Sequence, residues 1–326
     1  MSKNETSSEK TYSLSQCIDY YELCNKSEGK SPKTVDWYTD NLHRFCRYMN
    51  HRHLPDSIDI IDIKLLREYV LDLMKKTRFS DHPYTPAKPE PLSTATIHAH
   101  VRTLRAFFSW LVREGVIKDN FARGLKPPKL SKKVISTLSD EEILSILKTF
   151  NPTNHSDARN QTIFMLLLDT GLRIGEIVNL KMDDVYMSNG FLKVLGKGNK
   201  ERVVPIGCNA QRALQRYLFR YRSKPANSEI NRVFLSIHGF PLTENSMKLM
   251  FARLAQISGV HRLHSHLCRH TFATRFLING GDVFTLQQIL GHSSLEMVRH
   301  YVNLASSHVA IQHQKYSPLD HINLRK

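Results

Sequence analysis

The stretch "GFLKVLGKGNKERVVPIG", residues 190–207, decides the fold, because the apolar spacing changes there. Elsewhere apolar side chains recur at i, i+3, i+4 and i+7, the spacing of amphipathic helices. Here the period shortens, and two apolar runs flank the Gly-rich turn "GKGNK", so the stretch predicts a β-hairpin. On either side the helical period returns. Upstream, "SDEE" opens a helix with Ser139 and Glu142 spaced as a capping box, and a further helix runs through "QTIFMLLLDTG". Downstream, helices fit 208–222, 243–257, 266–279, 283–290 and 294–304. The second half of the chain therefore predicts a mostly helical α+β domain with a small antiparallel sheet.

The first half predicts helices only, and the protein as a whole is mainly α. In "SPKTVDWYTDNLHRFCRYM", Ser31 is placed to cap, Pro32 suits the first turn, and Val35, Tyr38, Leu42 and Phe45 form one stripe. In "STATIHAHVRTLRAFFSWLVREG", Ser93 is the cap, Ile97, Val101, Leu104, Phe108 and Leu111 make the face, and Gly115 stops the helix. Weaker helical patterns occupy 13–27 and 62–77. Between them, "RFSDHPYTPAKPEPL" (78–92) holds four prolines and predicts a loop. "ARGLKPPKLSKKVIST" is basic, carries Pro127–Pro128 and has no apolar period, which marks an exposed interdomain linker. The expected organisation is a disordered tail (1–11), a helical domain (12–120), a linker (121–136), a second domain (137–305) and a C-terminal tail (306–326).

Composition narrows the partners. Lys and Arg number 46 against 30 Asp and Glu, a formal net charge of +16, which favours polyanions, nucleic acid above all. The five cysteines are scattered without a CxxC pair, which suits a reducing compartment and argues against a disulfide framework or a cysteine-rich zinc module. The polar start "MSKNETSSEK" lacks a signal peptide's apolar core, and the richest apolar run, "TIFMLLLD", is far shorter than the ~18 residues of a membrane span. The expectation is a cytoplasmic, nucleoid-associated protein without a membrane partner.

Several segments carry groups fit for chemistry, each with an ordinary reading when taken alone. "DTGLRIGEIVNL" places Arg173 at the start of a helix with Glu176 one turn on, which could be a simple surface pair. Lys197 stands at the hairpin tip, where most lysines are merely solvated; no P-loop surrounds it. In "HRLHSHLCRHTFATRF", Ser265 is placed to cap a helix carrying His266, Arg269 and His270. His266 and His270 have the i, i+4 spacing of zinc ligands, but Leu267 occupies the place of the general-base Glu and no acidic third ligand follows. In "LGHSSLEMVRHYV", Gly291 ends one helix, Ser293 and Glu296 form another capping box, and Tyr301 shares a stripe with Met297 and Leu304. Such a tyrosine is ordinarily packing.

Taken in order, Arg, Lys, His-x-x-Arg, His and Tyr are the parts of a metal-free phosphoryl transfer on a DNA strand. Charge grows on the non-bridging oxygens of such a transition state, and Arg173 and Arg269, with His266 or His292, can meet it. Lys197 is the best-placed acid for the departing 5′ oxygen, and a phenol can form and later release a phosphodiester.

At these residues the sequence resembles the tyrosine recombinase (phage integrase) family, in its Xer-like two-domain branch. The segments that carry the resemblance are "TGLRIGE", "GKGNKERVVPIG", "HLCRHTFAT", "LGHSS" and "YVN", in order and at the family's spacing, and it extends over residues 12–305. The resemblance implies a SAM-like core-binding domain before a catalytic domain. It also implies that Tyr301 attacks the scissile phosphate to give a 3′-phosphotyrosine, that Arg173, Arg269 and His292 hold that phosphate, and that Lys197 protonates the leaving oxygen. His266 would assist as acid/base and Glu176 would orient Arg173. Neither cofactor nor metal is implied. The implied partners are double-stranded DNA with specific core sites, three further copies of the chain in a tetramer that works through a Holliday junction, and an accessory DNA-bending or directionality protein. The linker at Pro127 and Pro128 would span a clamp around the duplex, and the helix ending near Trp110 would face DNA.

The sequence departs from the family pattern at Cys268, where an aliphatic residue is commoner and which suggests oxidation-sensitive activity. The loop 78–92 is longer than the compact pattern, a place for target-specific contacts. The short stretch before residue 12 argues against the large arm-site integrases, and the tail suits packing on a neighbouring protomer. A non-catalytic DNA-binding protein of the same fold, a DNA-relaxing topoisomerase and a metal nuclease are the alternatives. The complete residue set speaks against the first, two-domain size against the second, and the lack of an acidic cluster against the third.

Overall fold

The structure is a computed structural model that describes residues 12–80, 86–129, 136–151, 153–196, 200–292, 294–296, 298, 301, 313 and 317. It divides into two compact units, Met1–Lys132 and Lys133–Lys326. Among the described residues no helix is long and apolar enough to cross a membrane.

The first unit is built on α1 (Leu14–Ser27), α2 (Pro32–His51), α3 (Ile63–Lys75) and α4 (Thr94–Arg113). In α4 the Ser93 hydroxyl accepts from the Thr96 N–H, and Gly115 follows the last turn at φ 71°. The stripe of Ile97, Val101, Leu104, Phe108 and Leu111 is wholly buried, against Leu42 and Phe45 of α2 and Leu66 and Leu73 of α3. Each of these side chains contributes about 1.5–3 kcal/mol by leaving water. Trp110 also turns inward, stacked near Tyr21 and Phe107, so the outward face of α4 is left to Arg102 and Arg105.

Two sequence expectations fail in this unit. The unit is not all helix: β1 (Thr77–Arg78), where the predicted helix meets the stretch read as a loop, pairs antiparallel with β2 (Lys88–Pro91) inside that stretch. Every residue of β2 is exposed, so no alternation marked it. The exposed linker also begins later than residue 121. Phe121–Gly124 forms a short 3₁₀ turn, Ala122 and Leu125 are buried in the helical core, and the His98 ring bonds the Pro128 carbonyl.

The second unit holds α5 (Asp140–Lys148), α6 (His155–Thr170), α7 (Ile174–Asn179), α8 (Cys208–Arg216, continued by a π turn over Tyr217–Tyr221), α9 (Glu244–Ile257), α10 (Ser265–Ile278) and α11 (Val283–Leu290). The capping box of α5 forms as spaced, with Ser139 and Glu142 exchanging bonds of 2.9 and 3.2 Å. The predicted hairpin is β4 (Phe191–Leu195) against β5 (Glu201–Pro205), in register from Phe191↔Pro205 to Leu195↔Glu201. A third strand, β3 (Val185–Tyr186), extends it in the order β3-β4-β5, too short to leave a periodic trace. The cap of α10 is His264, in extended conformation, and Ser265 is the first helical residue rather than the cap. Lys197, Ser293 and the capping box assigned to it, Met297, Leu304, the N-terminal eleven residues and most of the C-terminal tail lie outside the described residues.

Candidate active site

The site begins where α6 stops. Gly171 closes that helix at φ 62°, and a Cβ there would press to 2.5 Å on the Phe272 ring, so the turn needs glycine twice over. Two residues on, Arg173 sits at the N-cap of α7. The Glu176 carboxylate accepts from the Arg173 backbone N–H at 2.9 Å and from its guanidinium at 3.0 Å. Glu176 also receives a bidentate fork from Arg202 of β5, both bonds 2.9 Å. Arg202 turns its remaining Nε–H to the Ile289 carbonyl at 2.7 Å, tying the sheet to the end of α11. A Cβ on Gly291 would meet this side chain at 3.1 Å, so the turn bearing His292 rests against it. Burial alone would raise the Glu176 carboxyl, but the Arg202 fork and the Arg173 contacts hold it below its ordinary range.

Arg269, on the first turns of α10, is buried. Its guanidinium donates to the Gly171 carbonyl at 2.6 Å, to the Leu290 carbonyl at 2.9 Å and to His292 Nε2 at 2.8 Å. None of these partners neutralises its charge, and burial followed by the nearby Arg173 pushes its pKa down to about 10. Because a guanidinium only donates, His292 Nε2 is an acceptor and the proton of the neutral ring sits on Nδ1. Burial, then Arg269, Arg173 and Arg202, push the His292 pKa down to about 4, consistent with that neutral tautomer. Nδ1 is itself buried and has no hydrogen-bond partner among the described residues. Among the described residues, a buried cation bonded to no carboxylate and a buried N–H with no acceptor stand side by side, both suited to an anionic oxygen.

Tyr301 is 5% exposed and packs with Val298, Leu286, Leu290, Ala273 and Leu277. Packing and a polar contact coexist: its hydroxyl oxygen lies 2.9 Å from His270 Nδ1. Burial raises the phenol's pKa, with Arg269 and Arg173 pulling the other way, so both guanidiniums act on Tyr301. His266, the second residue of α10, is exposed as a whole, but partial desolvation of its ring, and then His264, Arg269 and Arg173, lower its pKa. The structure thus gathers Arg173, Glu176, Arg269, His292 and Tyr301, with His266 at the margin. Cys268 is fully buried and its thiol is pushed up to about 12 by that burial, which overturns the expectation of oxidation sensitivity.

Sequence reasoning missed two residues. Arg202 shares the inward face of β5 with buried Val204, and a charge on that face was the available sign. His270 was weighed only as a zinc ligand, and its contact with Tyr301 depends on a segment 31 residues away.

Residues 136–308 match the phage integrase family and residues 18–115 match the phage integrase N-terminal SAM-like domain. The chain belongs to the phage integrase family, the tyrosine recombinases. As a tyrosine recombinase it is an enzyme that cuts and rejoins DNA site-specifically through a phosphotyrosine link. It is 30% identical over 306 residues to the tyrosine recombinase XerC of Bacillus pumilus, covering 92% of this chain and 94% of that one. It is 28% identical over 302 residues to XerD of Staphylococcus haemolyticus, covering 92% and 97%. The Tn1549 transposon integrase, solved in complex with transposon right end DNA, shares the recombinase fold at TM-score 0.71 and 21% identity, covering 93% of this chain and 99% of that one.

Proposed function

We propose that Tyr301 of this recombinase is the nucleophile, and that Arg173, Arg269 and the Nδ1–H of His292 receive the scissile phosphate. The observation that carries this reading is the buried charge of Arg269, bonded to no carboxylate among the described residues, beside the His292 donor that has no acceptor among them. A phosphodiester oxygen supplies both the missing counter-charge and the missing acceptor, and more strongly as charge grows in the transition state. Tyr301 forms the new P–O bond, and the 5′ oxygen departs with a proton from Lys197, His266 assisting as acid/base. Energy stays in the phosphotyrosine bond, so rejoining needs no nucleotide and no metal. Glu176 and Arg202 are positioning residues: their ion pair sets Arg173 and, through Ile289 and Gly291, the turn that carries His292.

The reading extends to the assembly. Four protomers exchange strands in pairs at specific core sites through a Holliday junction, an accessory DNA-bending or directionality protein sets the outcome, and the enzyme works in the cytoplasm on the nucleoid. The +16 charge and the Arg102 and Arg105 face of α4 support a duplex partner for the helical domain.

To test the chemistry, duplexes selected by binding from a random library are nicked near the bound centre and incubated with the protein in EDTA. A denaturant-resistant protein–DNA adduct mapping to the peptide that holds Tyr301 is expected, and Tyr301→Phe forms none. An adduct that persists in Tyr301→Phe, or that requires Mg²⁺, overturns the assignment.

A further inference from the structure

His270 has no part in the roles above, yet among the described residues it is hydrogen-bonded to the reacting phenol. Its Nδ1 lies 2.9 Å from the Tyr301 hydroxyl, within reach for a proton, with the two rings 5.6 Å apart at 46°. Both partners are held on rigid supports. On either side of His270 in α10, Arg269 is bonded to two carbonyls and Thr271 accepts from the Leu138 N–H. Tyr301 is fixed by the apolar cluster of Leu286, Leu290 and Val298. We propose that His270 is the general base that takes the proton of Tyr301 during cleavage and returns it during rejoining. The proposal rests on Tyr301 being the nucleophile.

The surroundings give each partner the right protonation state. His270 is kept neutral by burial and then by His266, His264 and Arg269, the groups facing it from its own helix and the turn before it. A neutral ring with its proton on Nε2 accepts at Nδ1. The phenol in turn is raised by burial and does not ionise by itself at neutral pH, while Arg269 and Arg173 favour its anion as it develops. Arg269 thus both helps to keep the base unprotonated and favours the anion that the base creates. His266, exposed at the start of α10, is left for the other side of the reaction.

The step balances. The Tyr301 proton passes to His270 Nδ1 as the phenolic oxygen bonds to phosphorus. The P–O5′ bond breaks with its electron pair on O5′, which takes a proton from a separate acid, Lys197 in the reading above. In rejoining, the 5′ hydroxyl attacks, the P–O bond to Tyr301 breaks, and His270 gives its proton back to the phenolate.

The test is single-turnover cleavage of nicked site DNA by the full-length protein. His270→Asn keeps an acceptor where Nδ1 stood but cannot carry a proton. Cleavage is expected to fall about 10²- to 10⁴-fold, with DNA affinity unchanged. The wild-type rate should be level from neutral to mildly alkaline pH, whereas the His270→Asn rate should climb about tenfold per pH unit as phenolate is supplied by solvent. A 5′-bridging phosphorothiolate, whose leaving group needs no acid, should rescue Lys197→Ala and leave His270→Asn impaired. Cleavage by His270→Asn within about threefold of wild type, or its rescue by the sulfur leaving group, overturns the proposal. If His270→Asn loses DNA binding, the wild-type protein with fluorotyrosine at position 301 answers instead. With a base in place the pH profile barely moves; a profile that shifts down with the phenol's pKa contradicts the proposal. Tyr301→Phe runs alongside, and an adduct there counts against the nucleophile assignment rather than against His270.

Discussion

Each unit contains a histidine that meets a tyrosine hydroxyl through Nδ1, and the two pairs have different fates. In the helical unit Tyr69 and His100 lie 3.2 Å apart, both almost fully buried, amid the rings of Phe45 and Tyr48. There the bond satisfies two polar groups that packing has enclosed. In the catalytic unit His270 and Tyr301 lie 2.9 Å apart, beside a guanidinium bonded to no carboxylate and an imidazole N–H with no acceptor among the described residues. The pair alone therefore does not identify chemistry; what differs between the two is the electrostatics around it.

Breaking the support of the charged site is expected to cost the most stability. Arg202→Met leaves the buried Glu176 with one cation instead of two and frees the turn at Gly291. A stability loss of about 3 kcal/mol and a cleavage loss of about 10²-fold are expected, measured by urea unfolding and by adduct formation. Glu176→Gln on that background should recover stability more than cleavage, because Arg173 still lacks its orienting charge.

Acid separates the two pairs further. His100 and His292 are both pushed down to about 4, each by burial first and by nearby cations second. A depressed histidine takes up its proton more readily when unfolded, near its ordinary pKa of about 6.5. Its contribution is thus fully present above that value and is lost as pH falls toward 4. Both units should weaken over this window, followed by thermal melts and histidine NMR titration. Bound DNA should raise the His292 pKa, since a phosphate offsets the arginines, and leave His100 where it is.

Smaller effects belong to the positions that only pack. Tyr69→Phe should cost about 1 kcal/mol in thermal unfolding and leave the cleavage rate of the bound complex unchanged. Cys268→Ala should cleave like the wild type, and peroxide should affect the two proteins alike, because the Cys268 thiol is buried and stays protonated.

Much of this was legible beforehand where local rules agreed. The capping box of Ser139 and Glu142, the Ser93-to-Gly115 helix and the β4–β5 hairpin each follow from spacing within a single element. β2 escaped because a strand exposed at every residue has no alternation, and the linker was drawn too early because Ala122 and Leu125 are isolated apolar residues in a basic stretch. Within the site, the ordered residues around "TGLRIGE" and "HLCRHTFAT" could be read in one dimension. Arg202 could not, since its partners Glu176 and Ile289 lie 26 and 87 residues away and only the folded unit brings them to it.

The central claim is that Arg269 is buried without a carboxylate partner among the described residues because the scissile phosphate supplies its counter-charge. It is tested most directly by comparing Arg269→Ala on ordinary site DNA and on the same DNA with a neutral methylphosphonate at the scissile position. The account predicts that Arg269→Ala loses at least about 10²- to 10³-fold in cleavage on the phosphate and recovers most of that loss on the methylphosphonate, where there is no charge to meet. An equal defect on both substrates would contradict it.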